Sequence, residues 1–285
     1  MTSSNRTPSD LTISPRDRHY GKSPVSRRWW LREDPVATAI LNAFSATFPE
    51  GEKFFIESVV QFKDQVVEPL KTQVKAFVRQ EAMHTREHIA FNEQVTGAGY
   101  DITSLEERTK GRIAIAKARH PIAQLAGTVA MEHFTALIAH SLLTNPKVLE
   151  GAAGEAGHLW RWHSVEEIEH KSVAFDVYMA ATAKLSPFKR WKIRSQVMLL
   201  TTINFTQAMS ANIADLMRQD GLDPKKERGR ALKLVFGRDG LMQGLLPHYL
   251  AFYMPGFHPW SLDDRKLIAE HDTAMAPEMG ELVPA

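Results

Sequence analysis

Residues 162–170 read WHSVEEIEH, a stretch with two histidines and three glutamates. It contains the unit Glu167-x-x-His170, whose two side chains lie about one turn apart on one helical face, where both can reach one metal ion. An earlier stretch contains a second such unit, Glu81-x-x-His84. About one Glu-x-x-His is expected by chance in a chain of 285 residues, so the surrounding pattern decides what the two units mean.

An isolated helical glutamate precedes each unit, Glu52 before the first and Glu132 before the second. The ordered series Glu, Glu-x-x-His, Glu, Glu-x-x-His is the ligand order of a dinuclear metal site inside a four-helix bundle. A third unit, Glu155-x-x-His158, stands outside this order and shows how easily the short pattern arises. Glu57 fits the geometry of the first helix as well as Glu52 does, so the spacing leaves both open.

Apolar residues recur at helical spacing along almost the whole chain, and the alternation typical of strands is absent. Breaks at proline and glycine predict helices over about 35–48, 52–66, 69–97, 103–118, 121–144, 154–185 and 188–219, with shorter pieces after 223. The predicted fold class is all-α: a ferritin-like four-helix bundle with additional N- and C-terminal helices. Residues 33–285 are expected to form a single helical metal-binding domain, and residues 1–32 a basic, flexible tail.

Composition excludes several kinds of chemistry and partner. The chain has no cysteine, which excludes disulfides, thiolate metal ligands and a cysteine nucleophile. Its net charge of +2 favours no particular partner, and nucleic acid is not an expected one. The N-terminus lacks the apolar segment of a secretory signal, so a cytoplasmic location is expected. Residues 240–260 lack charged side chains apart from histidine, which predicts a buried lid, a homodimer contact or weak contact with a membrane surface.

Six side chains are the primary candidates for metal ligands: Glu52, Glu81, His84, Glu132, Glu167 and His170. They supply four carboxylates and two imidazoles, the set in which carboxylates bridge two iron or manganese ions. Two metal ions are therefore expected, with iron preferred and manganese or zinc as alternatives. Two more histidines share helical faces with these ligands. His163 is either a seventh ligand or a buried, hydrogen-bonded histidine, and His88 is a further candidate ligand.

Two more glutamates are candidate catalytic residues. Glu166 directly precedes a ligand and is placed to accept a hydrogen bond from the outer N–H of an imidazole, or to act as a base. Glu87 belongs to the competing motif His84-x-x-Glu87-His88, which matches an inverted zinc-hydrolase pattern. In that pattern the two histidines bind Zn²⁺ and the glutamate activates water. The motif leaves the second Glu-x-x-His unit unexplained except as a third ligand.

Four stretches resemble a bacterial family of predicted metal-dependent hydrolases: residues 48–55, 80–88, 132–135 and 162–176. The resemblance covers about residues 30–270, and its motifs are specific in combination. It implies a metal-dependent enzyme, and it favours Glu52 over Glu57 because Glu52 lies in a shared motif. The ligand order also looks like that of ferritin-like di-iron carboxylate proteins, and the additional His163 is similar to the arylamine N-oxygenases of that group.

Three functions follow from these patterns as hypotheses. The leading one is a di-iron enzyme that oxidises or oxygenates a small organic substrate with O₂. The alternative is a metal-dependent hydrolase, in which metal-activated water attacks an acyl or phosphoryl substrate. Iron storage or a purely structural helical module comes last, because the sequence supplies no cage.

Overall fold

A computed structural model describes residues 6–20 and 27–275, with side chains up to residue 272. Residues 1–5, 21–26 and 276–285 lie outside the described residues, and the first two of these ranges belong to the predicted tail. The described residues form eleven α-helices and no β-strand, with one isolated bridge between Leu31 and Ala152. The predicted all-α class is confirmed.

The helices follow one another in the order α1 (Pro35–Ser45), α2 (Phe48–Val60), α3 (Leu70–Gly97), α4 (Thr103–Lys117), α5 (Pro121–Thr144), α6 (Ala156–His170), α7 (Val173–Ala181), α8 (Pro187–Gln219), α9 (Pro224–Phe236), α10 (Leu246–Ala251) and α11 (Arg265–Met275). Their starts follow the local signals of the sequence. Asp34 caps α1 by accepting from the N–H groups of Val36 and Ala37 at 2.8 and 3.1 Å. Ser186 caps α8 in the same way, accepting from the N–H of Lys189 at 3.3 Å.

The start of α2 differs from the predicted one. The helix begins at Phe48 and includes Pro49, Glu50 and Gly51, which the sequence predicts as a break. Pro49 lies in the first turn, where a residue without an N–H leaves no helical hydrogen bond unmade. The first of the predicted ligands, Glu52, therefore lies inside a helix rather than at its beginning.

The helix expected over 154–185 is divided into α6 and α7. Tertiary contacts stabilise the break between the two helices, so the local periodicity of the sequence does not predict it. The ammonium group of Lys171 donates to the carbonyl of Leu262 at 2.7 Å and to Asp264 Oδ2 at 2.5 Å. The hydroxyl of Ser172 accepts from the indole N–H of Trp260 at 3.2 Å.

Four helices, α2, α3, α5 and α6, pack around one interior. α2 lies against α3 and α5, and α6 lies against α5 and α3, while α8 covers α1 and α5. Two apolar clusters fill the molecule, one around Trp30, Phe91 and Trp160 and the other around Phe55 and Phe77. The ferritin-like arrangement and the single domain over residues 33–285 stay predictions.

One helix among the described residues, α5, is long and apolar enough to cross a membrane. Its most apolar window is 72% buried inside the protein, as in the core helix of a globular fold. The apolar side chains of the uncharged segment 240–260 differ in burial. Phe252 and Trp260 are buried, whereas Leu246 and Leu250 on α10 are exposed. Contact of this segment with a membrane surface or a second copy stays a prediction.

Candidate metal centre

The predicted ligands meet in the interior of the four packed helices. α2 supplies Glu52, α3 supplies Glu81, His84 and His88, α5 supplies Glu132, and α6 supplies His163, Glu167 and His170. Each of these residues is at most 4% exposed. They form four overlapping groups in which one ligand atom from every member lies within 4.8 Å of the others: Glu52/His88/His163, His84/His163/Glu167, Glu52/Glu81/His84 and Glu81/Glu132/His170.

Two carboxylates connect the two ends of this cluster. Glu81 belongs to a group with His84 and to a group with His170. Glu167 Oε1 lies 3.4 Å from His170 Nε2 and 3.5 Å from His84 Nδ1. Both carboxylates therefore lie close to both of these imidazoles.

Eight buried ligand atoms have no hydrogen-bond partner among the described residues. They are Glu52 Oε1, both oxygens of Glu81, His84 Nδ1, both oxygens of Glu132, Glu167 Oε2 and His170 Nε2. They come from the six primary candidates, and each candidate contributes at least one. Buried carboxylate oxygens without donors are costly unless a cation or a proton compensates them, so the donor set fits bound metal.

The imidazoles of His84 and His170 are held by hydrogen bonds on their outer sides. His84 Nε2 lies 3.0 Å from Glu166 Oε2, a carboxylate that can only accept when ionised. His170 Nδ1 lies 3.0 Å from Gln80 Oε1, and the amide of Gln80 is oriented by its donation to Glu169 at 2.8 Å. Each imidazole therefore donates outward and turns its other nitrogen toward the cluster, as metal-binding histidines do.

A third hydrogen-bonded chain fixes His163. The amide of Asn92 donates to the carbonyl of Ser45 at 3.1 Å, so its oxygen accepts from the hydroxyl of Ser45 at 2.7 Å. That hydroxyl then accepts from His88 Nδ1 at 2.8 Å, and His88 Nε2 accepts from His163 Nδ1 at 2.6 Å. His163 Nε2 lies on the inner side of the ring, 3.0 Å from Glu167 Oε1.

The pKa values of the four carboxylates shift in opposite directions, although burial alone would raise all of them. Burial, supported by the charge of Glu81, raises the pKa of Glu52 well above its usual range. Burial also raises the pKa of Glu132 well above that range, and the charge of His170 offsets this only in part. Glu81 shifts upward for the same main reason, burial. Burial opposes ionisation of Glu167 too, but the charge of His170 and hydrogen bonds to the imidazoles hold its pKa well below normal.

The pKa values of the imidazoles also shift in both directions. Burial disfavours the charged form of His84, but hydrogen bonds with Glu166 and Glu167 outweigh it and raise its pKa to about 10. The charges of the neighbouring carboxylates likewise raise the pKa of His170 well above its usual value despite burial. Burial and the charge of His84 lower the pKa of His163 to about 4. Without a cation, protons on His84 and His170 balance the cluster.

Aromatic rings enclose the cluster. Phe48 lies against His88 and His163, with ring centroids 4.7 and 5.0 Å apart. Trp162 stands edge-on to His84 at 5.0 Å, and Phe77 stands edge-on to His170 at 4.9 Å. These contacts exclude water from the ligands and strengthen the electrostatic interactions among them.

The structure shows where three of the glutamates that the sequence singles out lie. Glu52 rather than Glu57 joins the cluster; the Glu57 side chain is 54% exposed and pairs with Lys117 at 2.6 Å. Glu166 takes the outer position beside His84 that the sequence predicts for it. The third unit, Glu155-x-x-His158, begins α6, and His158 is exposed.

The structure does not support Glu87 as a catalytic base in the cluster. Its carboxylate accepts from the backbone N–H of Tyr20 at 2.6 Å and from the guanidinium of Arg86 at 2.7 Å. Among the described residues, the groups that could hold a metal contain neither Glu87 nor a pairing of His84 with His88. The competing zinc motif is therefore not assembled, because Glu87 turns toward the N-terminal segment instead.

Sequence reasoning missed the part played by residues 6–20, which we call the N-terminal strap. The strap was expected to be a tail without fixed contacts, but Ser14 and Arg16 donate backbone hydrogen bonds to Glu169 and Glu166 at 3.1 and 2.7 Å. The indole N–H of Trp162 donates back to the carbonyl of Arg16 at 3.1 Å. Buried carboxylates on α6 need donors, and these acids were the only signal that a distant segment would supply them.

Comparison with known proteins agrees with this centre. A family model described as predicted metal-dependent hydrolase matches residues 14–263, from the strap to the C-terminal segment. No curated protein and no solved structure matches the chain. Because the family match spans most of the 285 residues and includes every residue of the cluster, the chain belongs to the family of predicted metal-dependent hydrolases.

Proposed function

We propose that the protein is a metal-dependent hydrolase whose buried cluster holds two cations. The observation that carries the proposal is the set of eight ligand atoms without hydrogen-bond partners among the described residues, contributed by the six predicted ligands. The family description supports hydrolysis as the class of reaction. The shared positions of Glu81 and Glu167 support two cations rather than one.

The cluster residues have distinct parts in this proposal. Glu52, Glu81, His84, Glu132, Glu167 and His170 would hold the cations, with His163 as a seventh ligand. Cations bound there would polarise an acyl or phosphoryl oxygen and lower the pKa of a water ligand. Glu166 keeps His84 in the tautomer that presents Nδ1 inward.

Glu132 is the strongest candidate for proton transfer. Both of its oxygens lack hydrogen-bond partners among the described residues, so one can bind a cation while the other holds a proton. Burial raises the pKa of Glu132 well above its usual range, which favours the protonated form of this carboxyl. The carboxylate of Glu87, in contrast, accepts hydrogen bonds from Tyr20 and Arg86.

A cavity of about 510 Å³ between α2, α3 and α4 supports a small-molecule substrate. Asn92 lines it, and the same amide begins the hydrogen-bonded chain through Ser45 and His88 to His163. Lys53 and Lys110 lie in its wall, where each pairs with a glutamate of the same wall: Lys53 with Glu50 at 3.4 Å and Lys110 with Glu106 at 3.9 Å. We infer that the substrate approaches the centre from this side.

Oxidation of a small organic substrate with O₂ is the second candidate. The donor set favours it: four buried carboxylates with two to three imidazoles suit iron or manganese, whereas sites for zinc use fewer carboxylates. Iron would supply the redox chemistry, and the aromatic enclosure would keep it dry. The family description favours hydrolysis, so this function ranks second.

Metal analysis of the purified full chain tests the centre first. Two equivalents of metal per chain, lost in Glu132→Ala and retained in Glu57→Ala, are expected. Loaded protein is then assayed with acyl and phosphoryl esters, and in parallel the reduced iron form is assayed for O₂ uptake. Ester hydrolysis without O₂ uptake supports the hydrolase; O₂ uptake without hydrolysis selects the oxidase, and a chain that binds no metal refutes both.

A further inference from the structure

Arg16 of the N-terminal strap contacts two buried carboxylates of α6 at once. Its backbone N–H donates to Glu166 Oε1 at 2.7 Å. Its guanidinium donates to both oxygens of Glu169, at 2.6 and 3.1 Å. The side chains of Glu166 and Glu169 are 0% and 2% exposed, and that of Arg16 is 14% exposed. One cationic residue therefore serves two enclosed acids.

Each of these acids leads to a different imidazole of the metal centre. Glu166 accepts from His84 at 3.0 Å, so Arg16 reaches this imidazole through one residue. Glu169 accepts from the amide of Gln80 at 2.8 Å, and Gln80 accepts from His170 at 3.0 Å. Arg16 thus stands at the meeting point of two hydrogen-bonded chains, one for each end of the cluster.

We propose that Arg16 is a positioning residue for both imidazole ligands, and that docking of the strap sets the cation affinity of the centre. The proposal rests on the metal centre proposed above. The Arg16 guanidinium and N–H hold the two acids in place. Acceptors held in this way fix the outer nitrogens of His84 and His170 and so turn the inner nitrogens toward the cluster. Loss of such outer partners typically weakens metal binding by about 10- to 100-fold.

A nearby arginine supplies a matched control. Arg265 on α11 contacts the strap through Asp10, at 3.2 Å. It also pairs with Asp263 beside it, at 2.7 Å. All three of these side chains are exposed, at 47%, 69% and 54%. Arg265→Gln therefore removes a contact of the strap without removing an acid that orients an imidazole.

The test is a Co²⁺ titration of the full chain, because the visible spectrum of Co²⁺ reports the geometry of its ligands. Arg16→Gln is expected to bind Co²⁺ about 10- to 100-fold more weakly, with an altered spectrum. Arg16→Lys is expected to restore part of the affinity, since an ammonium keeps the charge but cannot bridge both oxygens of Glu169. Arg265→Gln is expected to match the wild type in affinity and spectrum.

Wild-type affinity and spectrum in Arg16→Gln would overturn the proposal, as would an equal loss in Arg265→Gln. If Arg16→Gln does not fold, Glu169→Gln replaces it, because this change keeps the size of the side chain and removes the ion pair. The same loss of affinity is then expected, and wild-type binding overturns the proposal again. A wild-type chain that binds no Co²⁺ refutes the metal centre itself, and the positioning role with it.

Discussion

Individual residues of the cluster work against the stability of the metal-free fold. Glu52, Glu81 and Glu132 are buried carboxyl groups whose pKa values burial raises, which means that the folded chain disfavours their charged forms. A chain selected for stability alone would place apolar side chains at these positions. Their presence is therefore best explained by the cations that they would bind.

Glu132→Gln separates the cost of the buried acid to stability from its contribution to metal binding. The amide keeps the shape of the side chain and removes a buried acid, so the metal-free variant is expected to be about 1–3 kcal/mol more stable than the wild type. The same change is expected to lower metal content and to reduce activity at least about 10-fold, because an amide is a poor replacement for a carboxylate ligand. Urea unfolding with and without metal, together with metal analysis, measures both.

The exposed Glu57 provides the control for this experiment. Glu57→Gln changes the same functional group on α2, where the side chain pairs with Lys117 at the surface, and it should alter neither quantity. A Glu132→Gln chain that loses stability in the metal-free form, or keeps its full metal content, contradicts the prediction.

The raised pKa values of His84 and His170 predict how stability changes with pH in the metal-free protein. The folded chain holds these protons above the unfolded value of 6.5, and His84 releases its own only near pH 10. The resulting stabilisation is complete below pH 6.5 and is lost as pH rises through the folded pKa. Free energies of unfolding should therefore fall between pH 6.5 and 10.

Bound cations should reverse this dependence, since they displace the same protons. Apparent metal affinity is then expected to rise with pH, and calorimetry in buffers of different ionisation enthalpy should detect protons released on binding. Affinity that is independent of pH between 6.5 and 8, with no proton release, would show that the imidazoles are already neutral in the metal-free chain.

Among the elements, the interruption between α6 and α7 carries a prediction of its own. Lys171 is 3% exposed, and its ammonium pairs with Asp264, which is 4% exposed. Lys171→Met leaves a buried carboxylate short of its main cationic partner and is expected to cost about 3–5 kcal/mol in unfolding free energy. Asp264→Leu in the same chain should recover much of this loss, whereas additive losses in the double variant would exclude a coupled pair.

The helices show what sequence reasoning captures and what it misses. Proline and capping residues placed the starts of α1, α5 and α8 within a residue, because these signals act locally. The interruption at Lys171 was missed, since a contact with Asp264 on a distant segment decides it. Pro49 was read as a break although it suits the first turn of α2.

At the level of the whole molecule, the ligand order could be predicted because a helix presents residues three apart on one face. The six candidate ligands that it predicts all lie in groups that could hold a metal ion. The strap could not be predicted: it has no periodicity, and its partners are acids about 150 residues away. The position of Glu87 could not be predicted for the same reason, because its partner Tyr20 lies on the strap.

Removal of metal should loosen the whole molecule, because the six ligands come from four different helices. At a free metal concentration about 1,000 times the dissociation constant, binding is expected to add about 4 kcal/mol to the stability of the fold. Thermal unfolding before and after chelation, and again after metal is returned, measures this contribution. A melting temperature that does not change on chelation would show that metal does not stabilise the fold.

The strap also imposes an order on how the protein is made. Arg16 leaves the ribosome early, but Glu166 and Glu169 follow it by 150 and 153 residues. At translation rates of about 5–20 residues per second, that gap corresponds to roughly 8–30 s. During this interval the strap has no acids to bind, so it can dock only after α6 has been synthesised.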